Sequence, residues 1–215
     1  MFAARSQIIG TKLGFLKGPS NSPKRTRFSS AARELCNFQA FQYIHDEKYH
    51  QDIWCLPFNA RIKHMVLHFA KYTGKVLAAK EDKDKVLLRK TIIDTWIITL
   101  ACANILNVKL SRSLGLDEQD ASNLQKFGAT LLSSHFSDIE DPYLLTLRHL
   151  GKTTGQMAKA CESMDHGEAF DSRGTLERGV IELARLCLAL ATLLHLDLIP
   201  LVQDRWKEVE AKSIF

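Results

Sequence analysis

At 215 residues, with 46% hydrophobic and 25% charged side chains, the chain is long enough to bury one core and has the make-up of an ordinary globular domain. Five cysteines, odd in number and without a CxxC pair, exclude a disulfide framework as the basis of the fold. The net charge of +5 is local: residues 1–33 carry seven basic residues and no acid, and taking those from 29 leaves 22 Lys+Arg against 24 Asp+Glu, so a basic nucleic-acid footprint has no support outside this leader.

The first 33 residues read as an address. Arg5, Lys12, Lys17, Lys24, Arg25, Arg27 and Arg33 alternate with serines and with Phe2, Ile8, Ile9, Leu13, Phe15 and Leu16, which can share one helical face. Gly18-Pro19 and Ser22-Pro23 then break the helix, and Arg27-Phe28 before Ser29-Ser30-Ala31 resembles a matrix-peptidase cleavage site. The segment is expected to be a mitochondrial transit peptide that leads to the matrix, with a plastid the alternative. A disordered basic tail is the plainer reading.

Residues 34–59 form a helical arm, with Phe38, Phe41, Tyr43 and Ile44 giving apolar contacts and Pro57 and Asn59 breaking it. Asn59 is the expected N-cap of the next helix. Ile62, Met65, Val66, Phe69, Val76 and Leu77 keep helical spacing toward Lys80, and Val86 to Val108 forms the partner helix after a charged turn at 81–85. Residues 111–141 read as a connector with an acidic run at Asp117–Asp120 and one short helix around Asn123–Leu132. Pro142, at a favourable first-turn position, opens a helix to Cys161. A loop at 163–174, a helix over 176–196, a break near Pro200 and an amphipathic helix over 202–212 carrying Trp206 complete the chain. The two apolar helices carry Asp94, Glu182 and Arg185, at a cost that argues against a membrane span.

Part of this pattern occurs twice. His68-Phe-Ala-Lys-Tyr-Thr-Gly74-Lys75 returns as His149-Leu-Gly-Lys-Thr-Thr-Gly155-Gln156 at an offset of 81, and Leu100-Ala-Cys-Ala-Asn-Ile-Leu106 as Leu188-Ala-Leu-Ala-Thr-Leu-Leu194 at an offset of 88. One duplicated hairpin, with about seven extra loop residues in its second copy, accounts for both offsets. The expected fold is all-α. Helices near 60–80, 87–109, 143–161 and 176–197 form a four-helix core of two pseudo-symmetric hairpins, repeat one over 60–110 and repeat two with the C-terminal helix over 142–215.

In order and apolar frame, residues 60–212 resemble the MazG-like, all-α nucleoside triphosphate pyrophosphatases, which include the all-α dUTPases. The frame is carried by Thr73-Gly74-Lys75-Val-Leu-Ala-Ala and Asp94 to Leu110, and again by Thr154-Gly155-Gln156-Met-Ala-Lys-Ala and Glu182 to Leu198. The resemblance implies Mg²⁺ held by Glu-Glu-x-x-Glu and Glu-x-x-Asp motifs, since magnesium needs several convergent oxygen ligands. At those positions this chain has Lys71, Tyr72 and Lys75, then Lys152, Thr153 and Gln156, with Thr91 and Gly179 in place of the second motif's Glu. Only Asp94 and Glu182 keep the acid. No catalytic residue is assigned, and Mg²⁺ enters only if a reorganised hydrolase site exists.

Asp94 and Glu182 are expected to be buried ionic contacts, Asp94 with Lys90 and Glu182 with Arg178 or Arg185, all at helical spacings. Lys71, Lys75 and Lys152 could instead hold a phosphate without metal. His64 and His68 share a helix face as zinc ligands can, but no cysteine or carboxylate is placed to complete the set, so no metal site is assigned. His149, the counterpart of His68, points to a shared packing role, and Gly74 and Gly155 to close helix approach. The reading is a catalytically inactive helical protein acting as an interaction subunit of a mitochondrial complex, whose partners would be protein subunits, one handling RNA among the options. The alternatives are a nucleoside triphosphate pyrophosphatase with a reorganised site and a metal-independent nucleotide or RNA-phosphate binder. The aromatic arm, the acidic connector and the helix bearing Trp206 would be the docking surfaces.

Overall fold

The computed structural model describes residues 29–116, 122–137 and 141–212. The leader up to residue 28 and the acidic run at 117–120 lie outside these. All regular structure among the described residues is helical: α1 (Ser30–Tyr49), α2 (Gln51–Trp54), α3 (Phe58–Glu81), α4 (Lys85–Ile105), α5 (Leu110–Ser113), α6 (Leu124–His135), α7 (Pro142–His166), α8 (Ser172–Leu193) and α9 (Leu198–Glu210). Short polar side chains start most of them by accepting the otherwise unpaired first-turn N–H groups. Ser29 caps α1, Asp84 caps α4, Asn123 caps α6, Asp141 caps α7 ahead of Pro142, Asp171 caps α8 and Asp197 caps α9.

Several boundaries differ from the sequence reading. Helix α1 starts at Ser30, because Ser29 caps it and Ala31, Ala32 and Leu35 are fully buried. Asn59 lies inside α3, whose N-cap position is Pro57. Pro200 does not break α9; it occupies the first turn, where its missing N–H costs nothing. No single described helix is long and apolar enough to cross a membrane.

Helices α3 and α4 form one hairpin and α7 and α8 the other, with α3 against α7 and α4 against α8. Trp96, Phe69, Leu100, Leu183 and Leu190 are among the side chains that fill the centre. Ala101 and Ala189, equivalent at the offset of 88, are both buried. The backbone repeats more strictly than the sequence. Asn107 and His195 both take the left-handed conformation, φ 55° and 53°, after α4 and α8. The next N–H reaches back five residues in each copy, Val108 to the Ala103 carbonyl at 2.8 Å and Leu196 to that of Ala191 at 2.7 Å.

Two expectations about the repeat are corrected. The extra residues of the second copy are not all loop. The turn that closes α3 at Lys83 closes α7 at Gly167, so about one helical turn of the insertion lengthens α7. Nor is the 111–141 segment merely a connector: α6 packs along α8 as α1 packs along α4, which makes each copy a three-helix unit. Gly74 and Gly155 face open space, with no atom within 4 Å of an added Cβ. Close approach instead occurs at Gly128, where a Cβ would run into the Thr192 side chain and the Leu188 carbonyl, and at Gly179, where it would meet Met157.

Candidate functional site

On α3, residues 64, 68, 71, 72 and 75 keep helical spacing and present one polar face. Opposite them stand Asp94 and Asn104 of α4, His45 and Asp46 of α1, and Arg205 and Trp206 of α9. Together they enclose a cavity of about 240 Å³ in the first repeat.

Asp94 is held from an unexpected direction. Its carboxylate accepts from Arg205 Nε at 2.6 Å and Nη2 at 3.3 Å, and its side chain is only 7% exposed. The expected partner, Lys90, lies 4.0 Å from Glu208 instead. Arg205 also donates to Glu208 at 2.7 Å, and its hydrogen bond to Asp94 raises its already high pKa.

Lys71 donates to His68 Nδ1 at 2.9 Å and lies over the Tyr72 ring, 5.0 Å from its centroid. Burial, reinforced by Lys71, pushes His68 down to about 4, so the ring is neutral at physiological pH. With Nδ1 accepting from Lys71, Nε2 of His68 carries the proton and donates to His64 Nε2 at 3.0 Å. Lys71 itself is lowered by desolvation and then by Lys75. The cavity therefore brings Lys71 and Lys75 together with Asp94, while Lys152 stands elsewhere.

The second repeat has its own groove, lined by Lys152, Thr153, Gln156, Gly179 and Glu182, sharing no residue with the first. Glu182 is less buried than expected, with 25% of its side chain exposed. Arg185 approaches it at 3.7 Å, as the helical spacing suggested, but His135 Nε2 at 3.1 Å and His149 Nδ1 at 3.3 Å are nearer. Arg178 turns to Asp171 instead. His68 and His149 thus do not share one role: the first joins a chain to His64 and Lys71, and the second meets Glu182 and the Phe136 ring.

Trp206 is not a docking handle. It is 5% exposed, donates from Nε1 to Gln42 Oε1 at 2.8 Å and stacks on Phe41. The sequence reading missed His45, Asp46, His50, Arg61 and Arg205, all of which line the first-repeat cavity. The signal for three of them was present, as a His-Asp pair and then another histidine where the arm ends. Gln42 donates to Asp46 at 2.8 Å, and burial pushes the Asp46 carboxyl up to about 7. No protein-family model, curated protein or solved structure matches the chain.

Proposed function

We propose that the protein is a non-catalytic helical subunit of a mitochondrial assembly, a relative of the all-α nucleoside triphosphate pyrophosphatases whose metal-binding positions are occupied by other side chains. The observation that carries this reading is the pairing of Asp94. The acid that remains in the first repeat is engaged by Arg205, with Lys71 and Lys75 on the same cavity wall. A magnesium ion needs several convergent carboxylates, and here cations stand where they would converge. Glu182, the other surviving acid, faces two histidines and an arginine in a separate groove. Support for a docking role comes from α1 and α9, where Phe41, Ile44 and Ile199 are 63%, 60% and 42% exposed along one groove. The test is release of pyrophosphate from dUTP, dCTP and other nucleoside triphosphates by the pure protein in Mg²⁺. No turnover above background is expected. Robust hydrolysis abolished by Asp94→Asn in a folded protein restores the enzyme reading.

A second reading is favoured by the cations themselves. Lys71, Lys75, Arg61 and Arg205 around one cavity suit a phosphate group held without Mg²⁺. Calorimetric titration with a nucleotide in the presence of a chelator tests it, with Lys71→Glu expected to weaken binding at least tenfold.

A further inference from the structure

Helix α1 ends at Tyr49, and the backbone leaves the helix at His50, with φ −132° and ψ 44°, before α2 begins. That break turns the His50 ring back toward His45, with 5.6 Å between ring centroids. One donor atom from each of His45, Asp46 and His50 then lies within 4.8 Å of the other two. An ion with bonds of about 2.0–2.1 Å needs donors about 3.3 Å apart, so binding must draw the three side chains closer than the 4.8 Å within which they stand.

A second observation points the same way. The His45 side chain is 5% exposed, and neither ring nitrogen makes a hydrogen bond of good geometry among the described residues, the Trp206 backbone giving it only a weak contact. The Glu210 carboxylate stops 3.8 Å from Nε2. A buried imidazole so weakly matched is costly unless something fills its coordination. Asp46 offers a carboxylate here, whose Oδ1 accepts from Gln42. Glu210 beside His45 is placed as the outer carboxylate that commonly steadies a metal-bound imidazole.

We propose that His45, Asp46 and His50 bind one divalent transition-metal ion, of which zinc is the representative, at the edge of the first-repeat cavity. Two imidazoles and one carboxylate suit zinc or cobalt and leave magnesium, which takes oxygen ligands, poorly served. His45, Asp46, His50 and His64 all line that cavity, so an ion held by the first three would be reached from it. The site uses none of the positions at which the resembling family holds its magnesium, so it stands apart from the function proposed above.

The test uses the full, untagged chain, dialysed after loading with zinc, with bound metal measured by mass spectrometry. About one equivalent per chain is expected, with a higher melting temperature in Zn²⁺ than in Mg²⁺ and visible absorption bands on loading with Co²⁺. His50→Ala and Asp46→Asn should each lower zinc affinity at least tenfold, while Cys55→Ser, at an exposed thiol, leaves it unchanged. Should either ligand variant unfold, ¹⁵N shifts of the wild-type imidazoles decide: His45 and His50 should move on adding zinc and His149 should not. Retention of less than about a tenth of an equivalent, undiminished zinc in the folded His50→Ala variant, or shifts confined to other histidines would overturn the site.

Discussion

Asp94 sits among Thr91, Ile92, Ile93, Thr95 and Trp96, all buried, so its charge must be matched where it stands. Asp94→Asn removes the charge but keeps a polar contact to Arg205, and should cost about 1–3 kcal/mol in chemical denaturation. Arg205→Gln should cost more, because it leaves an ionised carboxylate buried and unmatched. The opposite ranking would show that the pair is not what stabilises Asp94. His68 gives a pH signature. Its folded pKa, about 4, lies below the ordinary histidine value of 6.5, so its contribution to stability is present above pH 6.5 and lost as pH falls toward 4. His68→Gln should remove that dependence, narrowing the gap in unfolding free energy from wild type across this window by on the order of 1–2 kcal/mol after solvent screening. The sequence shows that Asp94 needs a partner but not which one, since Arg205 lies 111 residues away on a helix whose docking no local spacing encodes.

At the scale of helices, periodicity makes the four core helices legible, because burying one face of each requires apolar residues at helical spacing and the pattern survives in both copies. Ends are less legible. Pro57 and Asn59 compete for the start of α3, and a polar residue in a first turn does not reveal which side of the cap it occupies. Helix α6 is harder to weigh from sequence because its packing face is short and includes a glycine, Gly128, whose value lies in contact with a distant helix. Two substitutions separate the kinds of glycine. Gly74→Ala, in open space on α3, should stabilise by about 0.5–1 kcal/mol through helix propensity. Gly128→Ala should destabilise by about 1–3 kcal/mol, because a methyl group meets the α8 backbone. Thermal unfolding of the two variants, expected to shift in opposite directions, is the measurement.

Across the whole molecule, a duplicated backbone carries two unlike sites. The matching turns at Asn107 and His195 keep the hairpins equivalent, while a cavity with lysines and an arginine-bound aspartate occupies one copy and a histidine-flanked glutamate the other. Part of the difference lies in the helix that each turn leads into: four residues of α5 in the first copy and thirteen of α9 in the second. Helix α9 reaches back to complete the other copy's cavity, through Arg205 to Asp94 and Trp206 to Gln42, sequence separations of 111 and 164 residues. In time, this orders assembly. A nascent chain that has exposed α1 to α8 holds both hairpins and already has α3 and α4 in place, but its first cavity lacks a wall, and Asp94 and Gln42 are without the partners they have here. The cavity is therefore complete only once α9 has been made and docked. Because α9 is held by a few side-chain contacts with α4 and α1, it should also open before the core helices do. Native-state hydrogen exchange should find the α9 amides opening at lower free energy than those of α4 and α8.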